Sequence, residues 1–289
     1  IMKSITSLLN DAKEQNKPLY LIIAQKDCFE NGTDLKSLDS LFLNLWKEMK
    51  STAKQYSPAD RSKSGLSGGD AEKIRNSKVK LIGGNYLLRV TEEALKTGES
   101  NACMKRIVAA PTAGSCGVLP AVLIPLCEEK EIDESLIKEA LYIAAGFGEV
   151  TADRASISGA EGGCQAEIGT ASAMAAAALT HILGGTDEMC AEAFAMALSN
   201  LLGLVCDPVA GLVEIPCIKR NVIGAVNAVS SCNMALAGIT NIIPADEVID
   251  AMGEIGNSLP SSLRETGNGG LASTPTARSI TEKLHSQKF

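Results

Sequence analysis

The chain has 289 residues, of which 45% are hydrophobic and 21% charged, and its formal net charge is −7. This length can bury a large core in one or two domains, and an acidic balance argues against nucleic acid as a partner, because phosphate binding requires a basic face. Nine cysteines without the spacing of a disulfide scaffold, in a chain with no apolar secretory segment at its start, predict a cytoplasmic protein.

The N-terminal residues 1–60 are rich in charge, and we interpret them as a helical lobe ahead of a catalytic domain over 61–289. The alternative is one continuous domain, since no composition break marks a boundary. Apolar residues at helical spacing predict an amphipathic helix over 36–57, with Asp34 as its N-cap.

Evidence for strands is thin. Two short apolar runs, at 19–24 and 107–110, are the only candidates, and no alternating hairpin pattern accompanies them. Helices are predicted instead from Pro120 to Cys127 and over 134–145, 166–183, 188–204, 219–242 and 246–254. The fold class is therefore predicted to be mostly α.

A stretch without charged residues from Val222 to Ala245 is long enough to cross a membrane. Asparagine and serine interrupt it, and no aromatic belt flanks it, so a helix buried inside the protein is the better interpretation. We expect a compact multi-helix domain around this buried apolar helix, with glycine-rich active-site loops and no membrane contact.

The first of these loops precedes Asp70 and places three glycines and two serines on six residues. Such a backbone can bend so that successive N–H groups point at one anion, for example a carboxylate. The alternative is a flexible surface turn. The candidate substrate-binding residues are Ser64, Gly65, Ser67, Gly68 and Gly69.

A second loop, over 111–117, has similar chemistry and follows a proline. Thr112 and Ser115 are its candidate substrate-binding residues, and we assign the loop as a second wall of the site. Cys116 has no histidine near it in the sequence, which argues against its being a nucleophile.

Three cysteines lie where the backbone is restrained. Cys164 follows two glycines, Cys206 precedes an Asp-Pro pair, and Cys217 follows a proline. Their separations along the chain are too wide for a zinc knuckle or a Cys-x-x-Cys pair, but three thiolates gathered by folding can hold an iron–sulfur cluster. A 4Fe-4S cluster on three thiolates would keep one iron free as a Lewis acid. The alternative is that the cysteines pack as small hydrophobic residues.

Together these features resemble the alpha chain of the bacterial iron–sulfur L-serine dehydratases, over a region from about Ser64 to Pro275. The four blocks that carry the resemblance, in this order, are Ser64–Asp70, Pro111–Gly117, Glu161–Cys164 and Cys206–Cys217. The resemblance implies a 4Fe-4S cluster on Cys164, Cys206 and Cys217, both loops at the substrate, and no pyridoxal phosphate. It also implies a separate beta chain or domain whose Ser-His-Thr motif completes the site.

No residue of this chain is a convincing base for removing a proton from serine. His181 lies in an apolar helix and His285 in a polar tail. Glu161 and Lys63 are weak catalytic candidates, and other charged residues, among them Arg154 and Glu167, could assist. The missing base and the missing beta chain agree, so we interpret the chain as one half of a two-chain lyase that converts L-serine to pyruvate and ammonia.

Three other functions remain open at this point. The same loops and cluster would accept L-cysteine, which makes a desulfidase possible. A pyridoxal-phosphate dehydratase would use Lys63 for the Schiff base, but the absence of βαβ alternation argues against it. A non-catalytic iron–sulfur sensor or scaffold is the third alternative.

Overall fold

The structure is a computed structural model that describes residues 2–286. Within that range the chain forms thirteen α-helices, and the only β contact is a bridge between Cys206 and Arg264. The helices are α1 Ile5–Gln15, α2 Leu19–Asn31, α3 Leu35–Lys54, α4 Asp70–Arg75, α5 Gly84–Ala102, α6 Val118–Lys130, α7 Glu134–Arg154, α8 Gly159–Gly162, α9 Thr170–Ile182, α10 Asp187–Ser199, α11 Cys217–Leu236, α12 Ala245–Ser258 and α13 Pro275–Ser286. The predicted mostly α fold is confirmed.

Helix α9 is the centre of the molecule. Every residue of α9 except His181 is buried, and it packs against α7, α10 and α11. Small side chains allow this close approach: at Gly148 of α7, a Cβ atom would lie 2.9 Å from the sulfur of Met174. The fold thus has a buried apolar helix, as predicted, but it is α9 and not the segment from Val222 to Ala245.

The prediction of one helix over 219–242 is wrong at its C-terminal end. Helix α11 ends at Leu236, and Gly238 follows it with φ +83°. The N–H groups of Gly238 and Ile239 donate to the carbonyls of Ala235 and Met234, which is the Schellman arrangement that ends a helix. Beyond this point Ile242 is 93% exposed. No helix in residues 2–286 combines the length and apolarity that crossing a membrane requires.

The apolar run at 19–24 is not a strand but the start of α2, which packs on α7 so closely that a Cβ atom at Gly146 would lie 2.6 Å from Ile23. The run at 107–110 forms no strand either. Helix α3 begins after Asp34, whose side chain accepts a hydrogen bond from the Ser37 N–H at 2.7 Å, as an N-cap does.

The N-terminal helices pack directly on the rest of the chain. The Asp246 carboxylate of α12 accepts hydrogen bonds from the N–H groups of Ile5 and Thr6, at 2.8 and 3.0 Å. Met2 and Trp46 are buried in the same hydrophobic cluster as α9. The division of the chain at residue 60 stays a prediction.

Helices α1, α4, α5, α8 and α13 were not predicted, and α7 continues to Arg154, well beyond the expected end at 145. Helix α5 shows why the sequence pattern is misleading. It buries charged side chains, and Lys96 Nζ lies 2.7 Å from a carboxylate oxygen of both Glu92 and Glu93. A buried face made of paired charges does not produce the apolar periodicity that indicates a helix.

Candidate functional site

The first glycine-rich loop is held against the segment between Cys206 and Cys217 by a buried carboxylate. Glu214 accepts hydrogen bonds from the hydroxyls of Ser62 at 2.7 Å and Ser64 at 2.8 Å. These contacts join two blocks that lie far apart in the sequence. Ser64 is therefore fixed beside the cysteine-containing segment.

A second carboxylate fixes the other end of this loop. Glu99 of α5 accepts hydrogen bonds from the N–H groups of Gly69 at 3.1 Å and Asp70 at 2.7 Å. Gly68 has φ +129°, and a Cβ atom there would lie 2.2 Å from the carbonyl oxygen of Asp60, so only glycine fits. Two of the N–H groups that could bind an anion thus bind a carboxylate of the protein itself.

The second loop is held by two residues that follow the third and fourth blocks in the sequence. The Thr112 hydroxyl donates to the Glu167 carboxylate at 2.6 Å and lies 3.1 Å from the Ser115 hydroxyl. Asn221 of α11 accepts from the Gly117 N–H at 2.8 Å and donates to the Gly114 carbonyl, also at 2.8 Å. The same amide donates to the carbonyl of Cys217 at 3.0 Å.

Each of the three predicted ligand cysteines lies at a fixed point of the backbone. Cys164 precedes a short π-helix, Gln165–Gly169, that leads into α9. Cys217 is the first residue of α11. The N–H of Cys206 donates to Leu263 at 2.9 Å, and its carbonyl accepts from Glu265 at 2.8 Å.

The three thiols influence one another. Burial raises the pKa of Cys164 to about 11 and that of Cys217 to about 12, and it holds the pKa of Cys206 well above its usual range. Coulombic repulsion from Cys164 adds to the pKa increase at the other two, and Cys217 adds to it at Cys206. Backbone contacts beside the cysteines agree with this proximity: the Gln165 N–H donates to the Leu204 carbonyl at 2.9 Å, and Arg220 in the first turn of α11 donates to the Val205 carbonyl at 2.7 Å.

This donor set fits a thiolate-bound metal cluster. Closely placed, buried thiolates repel one another, and a bound metal would compensate their charge. All nine cysteines are free thiols. At Gly159 a Cβ atom would lie 3.1 Å from Cys206 Sγ, so the glycine leaves room beside the sulfur. Among residues 2–286 no three His, Cys, Asp or Glu side chains converge as ligands of one metal ion, and thiolates that bind different irons of a cluster need not converge.

One cation lies beside the thiols. Arg220 of α11 forms an ion pair with the buried Asp207 at 2.8 Å and donates to the Val205 carbonyl at 2.7 Å. The Arg220 guanidinium also acts against the increase in the pKa of Cys164. Asp207 in turn accepts a hydrogen bond from the Leu271 N–H at 2.7 Å.

The weak catalytic candidates lie at the edge of this region. Glu161 is exposed, accepts a hydrogen bond from Ser156 at 2.7 Å, and lines a cavity of about 430 Å³. Arg154, which lines the same cavity, pairs with Asp250 at 2.6 Å. Lys63 is an exposed residue of the first loop.

Neither histidine is close to the three cysteines in the sequence. His181 lies at the end of α9 that is far from Cys164. His181 is near the C-terminal end of α9, where it contacts Glu139 at 3.2 Å and packs on Tyr20. Cys164 precedes the N-terminal end of this helix, and 13 helical residues span about 20 Å. His285 is exposed on α13.

Glu167 has a more central position than the sequence analysis gave it. It lies in the short π-helix between Cys164 and α9. Burial raises the pKa of Glu167, and the hydrogen bond from Thr112 opposes this increase. The structural contributions of Glu99, Glu214 and Asn221 were not predicted. Only the proximity of Glu214 and Asn221 to Cys217 in the sequence could have indicated two of them.

The fold and the site define an all-helical protein in which two polar loops are held close to three cysteines, two of them buried and one, Cys217, half-buried. A family model described as "Serine dehydratase alpha chain" matches residues 7–272. The chain is 56% identical to "Probable L-serine dehydratase, alpha chain" of Latilactobacillus sakei, over 70% of this chain and 97% of the relative. It is 53% identical to the protein of the same description from Bacillus subtilis, over 77% and 75% of the two chains.

A longer relative is "L-serine dehydratase TdcG" of Escherichia coli, 45% identical over 62% of this chain but only 40% of the relative. The chain belongs to the serine dehydratase alpha chain family. The resemblance stated from the four blocks is confirmed at the level of the family.

Proposed function

We propose that this chain is the alpha subunit of an iron–sulfur L-serine dehydratase, which deaminates L-serine to pyruvate and ammonia. The observation that carries the proposal is the meeting of the four blocks around Cys164, Cys206 and Cys217. The names of the relatives agree with this activity. We assign the three cysteines as the ligands of a 4Fe-4S cluster.

The reaction requires three contributions from the enzyme: binding of the substrate, stabilisation of the departing hydroxyl, and a base that removes the proton on Cα. When bound, a cluster on three thiolates supplies one iron without a protein ligand, which acts as a Lewis acid for the substrate hydroxyl. Loss of water gives an enamine, which tautomerises to an imine and hydrolyses to pyruvate and ammonia.

This chain supplies the groups that bind the substrate. Ser64 and Thr112 are fixed by Glu214 and Glu167, so their loops do not need to be ordered when the substrate binds. We propose that Gly65, Ser67, Gly68, Gly69 and Ser115 line the same substrate site. The rigid backbone around the thiols supports this role, because a preorganised site keeps its geometry.

The base is proposed to come from a beta subunit. The description "alpha chain" of the relatives implies a second chain, and the E. coli relative contains sequence well beyond the matched region. The free thiols further support a reducing compartment such as the cytoplasm.

The test is to purify the chain together with its beta subunit without oxygen. We expect iron and acid-labile sulfide to be present in equal amounts, and L-serine to yield pyruvate and ammonia in equal amounts. L-Cysteine, measured in parallel, distinguishes a desulfidase. A full cluster with no turnover of either amino acid would support a sensor or scaffold and contradict the proposal.

Exposure to air is expected to abolish activity, and ferrous iron with a thiol should partly restore it. The physical reason is that three cysteines protect only three of four irons, and an iron without a thiolate is the most easily oxidised and released. Activity and iron content are measured at intervals in air. Undiminished turnover after prolonged exposure would indicate a closed, four-ligand cluster or a different cofactor.

A further inference from the structure

Glu167 lies at the junction of the second loop and the cysteines. Its Oε1 atom accepts a hydrogen bond from Thr112 at 2.6 Å, and a Cβ atom at Gly114 would lie 2.9 Å from the same oxygen. A Cβ atom at Gly159 would lie 2.6 Å from Oε2 and 3.1 Å from Cys206 Sγ. The carboxylate thus lies against the backbone at Gly114 and Gly159 and close to Cys206, a proposed cluster ligand.

Three other acidic side chains of this region are compensated within the folded chain. Asp207 pairs with Arg220 at 2.8 Å. Glu214 accepts two hydroxyl hydrogen bonds, and Glu99 accepts two from backbone N–H groups. Their charges are therefore stabilised without any ligand.

Glu167 differs from them. Within residues 2–286 it has no ion pair, and the Thr112 hydroxyl is the single hydrogen-bond donor found for it. Arg220 already pairs with Asp207 at 2.8 Å, and Coulombic repulsion from Glu265 adds to the increase in the pKa of Glu167. A half-buried carboxylate with no cation is costly, so a cationic group of the ligand is the natural partner for Oε2.

We propose that Glu167 binds the α-ammonium group of L-serine and thereby selects an amino acid over a hydroxy acid. The inference rests on the proposed function. The ammonium is the only cationic group of the substrate, and it donates up to three hydrogen bonds. The Glu167 carboxylate can accept one of them at Oε2, and the Thr112 and Ser115 hydroxyl oxygens are acceptors close by.

This assignment separates the three polar groups of the substrate. Glu167 would bind the ammonium, the glycine-rich loops would bind the carboxylate, and a cluster held by the three cysteines would bind the hydroxyl. A ligand with the same carboxylate and hydroxyl but no ammonium should therefore not depend on the charge of Glu167. 3-Hydroxypropionate is such a ligand.

The test uses the complex of this chain with its beta subunit, loaded with cluster without oxygen, as wild type, Glu167→Gln, Glu167→Asp and Glu265→Gln. The glutamine variant keeps an acceptor for the Thr112 hydroxyl, removes the charge and replaces the second carboxylate oxygen with an amide NH2 group. Glu265 is exposed and adjacent to Cys206 in space, so Glu265→Gln is the matched control for loss of charge near the site. Iron and sulfide content must be equal in all four proteins.

Binding is measured as the change in cluster absorption on rapid anaerobic mixing, before the first turnover, with L-serine and separately with 3-hydroxypropionate. We expect Glu167→Gln to weaken L-serine binding by about 30-fold or more, the effect of removing one partner of a desolvated charge pair. Binding of 3-hydroxypropionate should change by less than about threefold, as should both ligands in Glu265→Gln. Glu167→Asp should bind L-serine more tightly than Glu167→Gln.

Three results would overturn the inference. Equal weakening of both ligands would show a general disturbance of the site, and unchanged L-serine binding would show that Glu167 makes no such contact. Lost turnover with unchanged L-serine binding would assign Glu167 to proton transfer instead. If the wild-type complex with a full cluster neither binds nor converts L-serine, the proposed function itself fails, whatever the variants show.

Discussion

Replacing Cys206 with serine is expected to remove both cluster and activity. A hydroxyl is a hard, weakly acidic ligand that does not replace a thiolate on iron–sulfur clusters. Cys206 is the most informative position, because both Cys164 and Cys217 raise the pKa of its thiol. Its backbone N–H and carbonyl are also both hydrogen-bonded. Serine therefore keeps the local fold while it removes the ligand. Iron, acid-labile sulfide and L-serine turnover are measured after anaerobic purification, and the same loss is expected for Cys164→Ser and Cys217→Ser.

The matched control is Cys28→Ser, at a half-buried thiol of α2 outside all four blocks. It should keep cluster and activity. Cys190→Ser should also keep both, but this thiol is fully buried, and a hydroxyl there costs about 1–3 kcal/mol of stability if it finds no partner. A poor yield of Cys190→Ser would thus report on folding. Full iron content in Cys206→Ser would remove Cys206 from the set of ligands.

The parts of the site that the sequence could predict are those with a local signal. Cys164 follows a glycine pair, Cys206 precedes an Asp-Pro pair and Cys217 directly follows a proline, so these three cysteines could be selected one by one. Serines and glycines on six residues likewise indicate the first loop. Each of these features is visible within a few residues, and the structure then brings them together.

The contacts that assemble the site carry no local signal. Glu99 and Glu214 reach the first loop across 29 to 152 residues of sequence, and Asn221 reaches the second across more than 100. A buried glutamate in a helix resembles a solvated one until its partners are known. For the same reason α5, with its buried and paired charges, was missed, whereas α3, with its apolar stripe and N-cap, was predicted.

The first loop, for which the sequence predicts anion binding, combines a local sequence signal with a contact to a distant residue. The glycines do allow N–H groups to converge on a carboxylate, but at Gly69 and Asp70 that carboxylate belongs to Glu99. The sequence pattern indicates the chemistry of a loop and not the identity of its partner. Contact of the substrate with Ser64, Gly65, Ser67, Gly68 and Gly69 stays a prediction.

The chain without its beta subunit is expected to bind the cluster but to turn over L-serine poorly, and addition of the beta subunit should restore the rate. All three thiols and both loops are present here, whereas His181 is near the far end of α9 and His285 is an exposed residue of α13. General-base catalysis contributes roughly a hundred- to ten-thousand-fold, so a missing base should lower turnover by about that factor without preventing cluster assembly.

The measurement compares iron, sulfide and turnover for the chain alone and with increasing amounts of the beta subunit. The rate should rise and then saturate at one beta subunit per chain, while the cluster content stays constant. L-Serine should change the cluster spectrum in both cases, because the groups proposed to hold its carboxylate and ammonium belong to this chain. Rapid turnover by the chain free of any partner would place the base within it. Glu161 and Lys63 would then be the first residues to replace, since the distance along α9 argues against His181.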